Sequence, residues 1–425
     1  MDGGRVARQR GQRKAGGKKG ENTMKLMLRS LIAGLFIMGS AFAASLAMAA
    51  DDPIRIGVLG DQSSNFADSG GPGSVTATRM AVEDFGGSVL GRPIEVLVAD
   101  HQNKVDTGIA IAREWYEEKG VNVIVDFASS AIALGVQDIA REFDRIALYT
   151  TASSSDIIGK ACSPNGQQWG AENWSNSASL MTALASEKPG TTFFFITVDY
   201  NFGHQLEDVS RAAVEAAGGE VIGGVLVPLN TMDMSSYLLS ARASGADVIV
   251  LAQSGTDLVT SMKQATEFGI AAKQKIAAPI LFLTDIDAIG LNTLAGLQFI
   301  QSWYWDQDES SRAWANRYFE RMKKMPNESH AALYAAVTHY LEAVKAAGTD
   351  ETQVVLKQMK EAPINGLISE NGHILENGRA AFDRYLVQVK AEDESKYDWD
   401  FLKVVSRIPA DKAFRTATDA GCVIN

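Results

Sequence analysis

The chain has 425 residues, of which 46% are hydrophobic and 21% are charged, a composition typical of globular proteins with more than one domain. Its formal net charge is -11, and the charge is unevenly distributed. Residues 1–50 hold nine of the 40 Lys and Arg side chains but only two of the 51 Asp and Glu side chains, so the rest of the chain is strongly acidic. Because an acidic surface repels phosphate backbones, nucleic acid is not expected as a partner.

The first fifty residues have the pattern of a targeting sequence. Lys25 and Arg29 precede an apolar segment at residues 31–47, and an A-x-A cleavage site follows. This pattern predicts a secretory signal peptide over residues 24–50. The alternative, a membrane anchor, needs about 20 apolar residues in a row, whereas glycine and serine interrupt this segment. Residues 1–23 form a basic extension that reflects either a mis-called start codon or a nucleic-acid-binding arm.

The chain contains two cysteines, Cys162 and Cys422. An even pair of cysteines in an exported protein predicts one disulfide bond. This bond would close a loop of about 260 residues and tie the C-terminus to the middle of the chain. No CxxC motif is present, so metal or redox chemistry through these thiols is not expected.

From Pro53 onwards, short apolar runs alternate with helical periods. Apolar runs without alternation are typical of strands that are buried on both faces of a parallel sheet. The first array predicts strands at 54–59, 93–99, 121–127 and 146–149, and helices at 75–85, 105–119 and 132–143. The second array predicts strands at 192–198, 221–227, 246–251 and 279–283, and helices at 205–217 and 237–244. This alternation predicts right-handed βαβ units.

After Phe299 the pattern changes to long helical periods at 310–325, 331–347 and 351–361, followed by strands at 385–389 and 400–405. The predicted fold is therefore α/β, with two doubly wound parallel-sheet lobes joined by hinge crossovers. The predicted boundaries place residues 51–172 and about 302–373 in lobe 1. Residues 173–301 and about 374–425 are assigned to lobe 2.

Small polar residues follow at least six of the predicted strands, at 60–64, 128–130, 150–155, 199–203, 253–257 and 284–287. The densest of these clusters is TTASSSD at 150–156. In open parallel sheets, ligands bind beyond the carboxyl ends of the strands. The clusters therefore predict one shared cleft.

Within this cleft, the helix starts after Ser129 and Ser153 offer backbone amides and hydroxyl groups, which favour a small carboxylate ligand. Asp285 is a candidate partner for an ammonium group. Helix capping by the hydroxyls and core packing by aromatic rings are the alternative roles. The candidates for apolar walls are Phe66, Trp169, Tyr200 and Phe202.

Enzyme signatures are absent from the sequence, which has no G-x-S-x-G nucleophile elbow, no phosphate-binding G-x-x-x-x-G-K loop and no H-E-x-x-H motif. No cofactor or metal is therefore expected. An exported α/β enzyme stays as an alternative, because fold alone does not define function.

These motifs together resemble the type I periplasmic solute-binding proteins of ABC importers, in the branch that binds Leu, Ile and Val. The resemblance spans Pro53 to Asn425 and is carried by IRIGVLGDQSS, GPGSVTATRMAVEDFGG, DFASS, TTASSSD, DYNFG and KQATEFGI. It implies a monomeric, non-enzymatic periplasmic protein that closes two lobes on a small ligand. Such a protein delivers its ligand to the membrane subunits of an ABC permease.

The resemblance also implies roles for residues of the first lobe. By position, Ser129, Ser130 and Ser153 match the groups that bind the ligand carboxylate. The backbone amides of Thr151 and Ala152 complete this set.

In the second lobe, Tyr200 and Phe202 match the aromatic wall that closes on the ligand. Asp285 lies at or one residue from the acidic position that binds a ligand ammonium, and Gln253 and Ser254 stand where amino-acid binders often have an aromatic residue. The ligand class is therefore open between an amino acid, an aromatic acid and a small amide such as urea. An extracytoplasmic ligand-sensing domain is the alternative function.

Overall fold

The computed structural model describes residues 52–424. The predicted signal peptide and basic extension lie outside these residues. Within the described part of the chain, no helix is both long and apolar enough to cross a membrane.

The first lobe is built on a six-stranded sheet. Its strands are β1 (Ile54–Gly60), β2 (Ser88–Val89), β3 (Arg92–Asp100), β4 (Val123–Asp126), β5 (Ile146–Tyr149) and β6 (Gly166–Gln168). The order is β2-β3-β1-β4-β5-β6, and all pairings except the antiparallel edge pair β2–β3 are parallel. The helices that alternate with these strands are α1 (Gly71–Phe85), α2 (Val105–Glu117) and α3 (Ser130–Glu142). The central strands β4 and β5 are completely buried, which explains their continuous apolar sequence.

The second lobe is built on a four-stranded parallel sheet. Its strands are β7 (Thr192–Val198), β8 (Glu220–Val227), β9 (Val248–Ala252) and β10 (Lys275–Ala277), in the order β10-β9-β7-β8. Its helices are α4 (Asn173–Ala185), α5 (Asn201–Ala216), α6 (Ser235–Ser244), α7 (Gly255–Glu267), α8 (Leu283–Ile289) and α9 (Leu291–Leu294). The strand predicted at 279–283 is wrong, because the last strand ends at Ala277 and α8 begins at Leu283. Periodicity cannot distinguish a short buried apolar loop from a strand.

The C-terminal part of the chain contributes to both lobes. Its helices are α10 (Glu309–Met322), α11 (Glu328–Ala347), α12 (Thr352–Glu361) and α13 (Ala410–Ala413). Its strands are β11 (Gln298–Gln301), β12 (Ile364–Gly366), β13 (Ser369–Ile374), β14 (Ala380–Ala381), β15 (Arg384–Val389) and β16 (Leu402–Ile408). Helices α10 and α11 pack on α1, whereas β11 packs on α4 and pairs with β15. The chain therefore passes between the lobes after β6, after β11 and between β13 and β15.

The predicted disulfide bond is confirmed. Cys162 and Cys422 are bonded, with their Cα atoms 5.6 Å apart. The bond attaches the C-terminal tail to the segment that follows the polar loop after β5. The Nδ2 atom of Asn377 also donates to the carbonyl of Ile158 at 2.9 Å, so this segment is held by two connections to the C-terminal part of the chain.

Candidate functional site

A small cavity lies between the polar loops of the two lobes. The cavity volume that a water-sized sphere can occupy is about 10 Å³, so its walls lie close together. Its walls combine four aromatic rings with several hydroxyl groups, and no charged side chain of residues 52–424 lines it. The lining residues are Phe66, Ser69, Ala128, Ser130, Thr151, Ser153, Tyr200, Phe202, Ser254, Ile280 and Phe282.

The turn after β4 forms one wall in the first lobe. Asp126 and Phe127 have φ values of 85° and 63°, a left-handed conformation that is costly for residues other than glycine. After this turn the chain enters α3, with Ser129 at its N-cap. The start of α3 therefore lies at the cavity, and unpaired amides at a helix start favour an anionic guest.

The loop after β5 forms the adjacent wall. The Thr151 hydroxyl donates to Asp126 Oδ1 at 2.5 Å, and the Ser154 amide donates to the Ser130 hydroxyl at 3.3 Å. The Nε2 atom of Gln168 donates to the carbonyls of Ala152 and Ser154, at 3.0 and 3.2 Å. Because these bonds fix the loop backbone, the Thr151 and Ser153 side chains are held at the cavity.

The second lobe supplies an apolar wall. Tyr200 caps the start of α5, and its ring centroid lies 5.7 Å from that of Phe202. Burial raises the pKa of Tyr200 far above its ordinary value, so its phenol stays protonated at neutral pH. Ile280 and Phe282 come from the buried loop that precedes α8.

Asp285 does not line the cavity, but it bonds to Phe282, which does. Its Oδ2 atom accepts a hydrogen bond from the Phe282 amide at 2.9 Å, within the first turn of α8. The side chain is buried, and burial raises its pKa to about 7. One oxygen of this carboxyl is therefore used in capping α8.

The structure brings together six of the eleven predicted ligand-binding residues, which are Phe66, Ser130, Thr151, Ser153, Tyr200 and Phe202. The other five do not line the cavity, namely Ser129, Ala152, Trp169, Gln253 and Asp285. Trp169 is completely buried, and its ring packs against His339 with centroids 5.3 Å apart. Gln253 is also completely buried, directly before the start of α7.

Sequence reasoning missed Ser69, Ala128, Ile280 and Phe282 as lining residues. Ile280 and Phe282 were assigned to a strand, and the sequence has no signal for the turn that directs them to the cavity. Ala128 and Ser254 belong to the recognised clusters at 128–130 and 253–257 but were not named as ligand-binding residues, whereas Ser69 lies outside every recognised cluster.

The two lobes contact each other directly beside the cavity. The Oδ1 atom of Asn65 accepts hydrogen bonds from the Thr256 amide, at 2.9 Å, and from the Thr256 hydroxyl. The Nδ2 atom of Asn65 donates to Asp257 Oδ2 at 3.1 Å. This approach requires glycine at position 255, since a Cβ atom there would lie 2.5 Å from the Asn65 carbonyl oxygen. The conformation is therefore the closed one.

Comparison with known proteins shows to which family the chain belongs. The family profile described as "Periplasmic binding protein" matches residues 53–395. The chain belongs to the periplasmic binding protein family. The two-lobed fold predicted from the sequence is confirmed by this match and by solved structures of the same fold. This is a family of solute-binding proteins and not of enzymes. Membership of the family therefore agrees with the expectation that the chain is not an enzyme.

Two solved structures are similar to this chain over most of its length. A periplasmic binding protein from Burkholderia mallei is 40% identical, with a TM-score of 0.85, and the match covers 88% of this chain and 99% of that chain. A periplasmic ligand-binding protein of a branched-chain amino acid ABC transporter from Burkholderia xenovorans is 35% identical, with a TM-score of 0.77. That match covers 87% of this chain and 99% of the other.

A curated relative adds a more distant match. The Leu/Ile/Val-binding protein homolog 6 of Brucella melitensis is 27% identical over 262 residues. The match covers 60% of this chain and 66% of the length of that relative.

Proposed function

We propose that this protein is an extracytoplasmic solute-binding protein that captures a small carboxylate in the cavity between its lobes. The hydroxyls of Ser130 and Ser153, with the amides at the start of α3, receive the carboxylate group. The rings of Phe66 and Phe202 pack on the apolar part of the ligand. Family membership and the position of the cavity between two polar loop sets support this assignment.

The proposed ligand class rests on one observation. None of the described residues that line the cavity has a charged side chain. A buried ammonium group needs a carboxylate partner, because an unpaired charge is costly to bury. Asp285, the candidate named from the sequence, does not line the cavity and accepts a hydrogen bond from the Phe282 amide. The proposed ligand is therefore an aromatic or otherwise apolar acid without an amine, in preference to an amino acid.

The proposal includes export and delivery. The signal peptide expected at residues 24–50 would place the mature protein in the periplasm. There the closed, loaded protein would act as a monomer and deliver its ligand to the membrane subunits of an ABC permease. The relatives described as parts of amino acid and Leu/Ile/Val systems support the transport role.

A calorimetric binding screen of the purified mature protein tests the ligand class. The screen compares benzoate-type and cinnamate-type acids with Leu, Ile and Val and with short amides such as urea. We expect saturable binding of at least one amine-free acid and no binding of amino acids. Tight binding of an amino acid or of urea would refute the proposed class, and turnover of any compound would refute the binding role.

The variant Asp285→Asn provides a second test of the proposed ligand class. Because the Asp285 carboxylate caps α8 rather than facing the ligand, its replacement should change the Kd for an amine-free acid by less than about threefold. Loss of binding on this replacement, in a variant with unchanged thermal stability, would place Asp285 at the ligand after all.

A further inference from the structure

Two arginines are completely buried beside the segments that connect the lobes. Arg379 lies between β13 and β15, next to β6, and Arg384 is the first residue of β15. Both side chains have 0% exposure. Neither residue belongs to the ligand cavity. A buried guanidinium group requires hydrogen-bond acceptors and a compensating charge.

Most of the guanidinium nitrogens lack such acceptors. The Nε, Nη1 and Nη2 atoms of Arg379 and the Nε and Nη1 atoms of Arg384 have no hydrogen-bond partner among residues 52–424. Only Nη2 of Arg384 is bonded, to Asn176 Oδ1 at 2.5 Å. One face of Arg379 is covered by Phe414, whose ring centroid lies 4.4 Å away, so water from the bulk does not reach it.

The neighbouring carboxylates are engaged elsewhere. Glu328 Oε2 accepts the amide and the hydroxyl of Ser302, each at 2.7 Å, and lies 3.7 Å from Arg384 Nη2. Glu172 accepts the amides of Trp174 and Ser175, at 3.1 and 2.8 Å, and the hydroxyl of Ser155. These carboxylates therefore provide charge near the arginines but do not satisfy the five unpaired nitrogens. Gln168 Oε1, on the adjacent strand, is also unpaired, but one acceptor cannot serve five.

The charges of this cluster do not balance. Arg415 lies 3.9 Å from Glu172, so the cluster holds three guanidinium groups against two carboxylates. With Arg415, whose side chain is 22% exposed, the cluster carries one excess positive charge. Burial lowers the pKa of Arg379 to about 9, which still leaves it charged at neutral pH.

We propose that a monovalent inorganic anion of chloride size binds between Arg379 and Arg384. One such anion would neutralise the excess charge and accept the unpaired N–H groups. Glu172, Ser302 and Arg379 come from the three segments where the chain passes between the lobes, so the anion would bind where these segments meet. This site is independent of the ligand proposed for the cavity.

Halide dependence of stability tests the proposal on the ligand-free mature protein. The melting temperature is measured in sodium gluconate and in sodium chloride or bromide at equal ionic strength. Binding to the folded state raises the melting temperature by mass action, and we expect a saturable rise of about 1 to 3 °C. A crystal soaked in bromide should show an anomalous peak between the two guanidinium groups. Equal melting temperatures together with water alone at this position would refute the anion.

Variants assign the effect to the two arginines. Arg384→Met and Arg379→Met should abolish the halide-dependent rise in melting temperature. The matched control is Arg312→Met, since Arg312 forms an exposed ion pair with Asp306 at 3.1 Å. It should retain the full halide effect. If a buried variant fails to fold, the bromide peak in the unmodified protein decides the question. A halide effect that persists in both folded variants would refute the assigned site.

Discussion

Asp126 and Asp285 are buried acids on opposite sides of the cavity, and each is bonded to a neighbour rather than facing a ligand. Asp126 accepts from the Thr151 hydroxyl, and Asp285 accepts from the Phe282 amide. Burial disfavours the charged form, and it raises both pKa values from 3.8 to about 7. These two residues therefore affect stability near neutral pH, and neither is among the residues that line the cavity.

The pH dependence of stability follows from this shift. Between pH 3.8 and about 7, the Asp126 carboxyl is protonated in the folded chain but ionised in the unfolded chain. The folded state thus binds the additional proton, and the free energy of unfolding falls as the pH rises through this range. Asp126→Asn keeps an acceptor for Thr151 and removes the titration. It should stabilise the protein at pH 8 by about 2 to 4 kcal/mol.

Urea denaturation of the unmodified protein and of Asp126→Asn between pH 4 and 8 measures this effect. The two free energies of unfolding should diverge as the pH increases, with little difference near pH 4. Parallel curves across the range would show that Asp126 is ionised in the folded protein throughout.

The loop that carries Ser153 is fixed at the cavity, because the Ser153 carbonyl accepts a hydrogen bond from the Asn173 amide at 2.8 Å. If its side chain binds the ligand carboxylate, Ser153→Ala removes a charge-assisted hydrogen bond worth about 1.5 to 3 kcal/mol. The Kd for the acid should therefore rise by about 10- to 100-fold. Calorimetric titration measures this change. Ser186→Ala, at an exposed position in the second lobe, is the control and should bind like the unmodified protein.

At the scale of elements, a disulfide bond attaches the C-terminal tail to the middle of the chain. Cys162 and Cys422 are 260 residues apart in sequence, and the bond restricts the unfolded chain over that length. The tail also brings Phe414 over Arg379 and Arg415 over Trp174. The disulfide therefore connects the loop after β5 with the tail that covers the buried arginines.

Removal of the bond tests this role. The double variant Cys162→Ser/Cys422→Ser should lose about 4 to 5 kcal/mol of stability on the chain-entropy account. Guanidinium denaturation under non-reducing conditions measures the loss against the unmodified protein. A change of less than about 1 kcal/mol would mean that the unfolded chain is already restricted without the bond.

At the scale of the whole molecule, closure depends on contacts between the lobes as well as on the ligand. Asn65 of the first lobe bonds to Thr256 and Asp257 at the start of α7 in the second lobe. Asp156 and Asn201 form another contact between the lobes, with Nδ2 of Asn201 donating at 3.2 Å. These contacts exist only when the lobes are together, so they favour the closed state and would slow the release of a bound ligand.

The variant Asn65→Ala should shift the equilibrium towards the open state. Loss of the bond to the Asp257 carboxylate is worth about 1.5 to 3 kcal/mol, so the Kd for the acid should rise at least about tenfold. Calorimetry measures the affinity, and small-angle scattering measures the open fraction. Asn292→Ala is a suitable control, because Asn292 bonds to Glu392 at an exposed site within the second lobe. Equal affinity of Asn65→Ala and the control would exclude the closing role.

The sequence by itself determined the order of strands and helices, because burial on both faces of a sheet imposes apolar runs and turns impose small polar residues. It also determined the disulfide, since only two cysteines are present. The polar cluster at 150–156 predicted one edge of a cleft, and Thr151 and Ser153 line the cavity.

Only the tertiary structure decided where individual side chains point. Asp285 turned to its own helix start, Trp169 became part of the core, and Ile280 and Phe282 entered the cavity wall from a loop. The proximity of Arg379 and Arg384 to Glu172 and Glu328 likewise depends on segments far apart in the chain. Local patterns report whether a residue is buried, but the partner that it is buried against is set by packing between elements far apart in the chain.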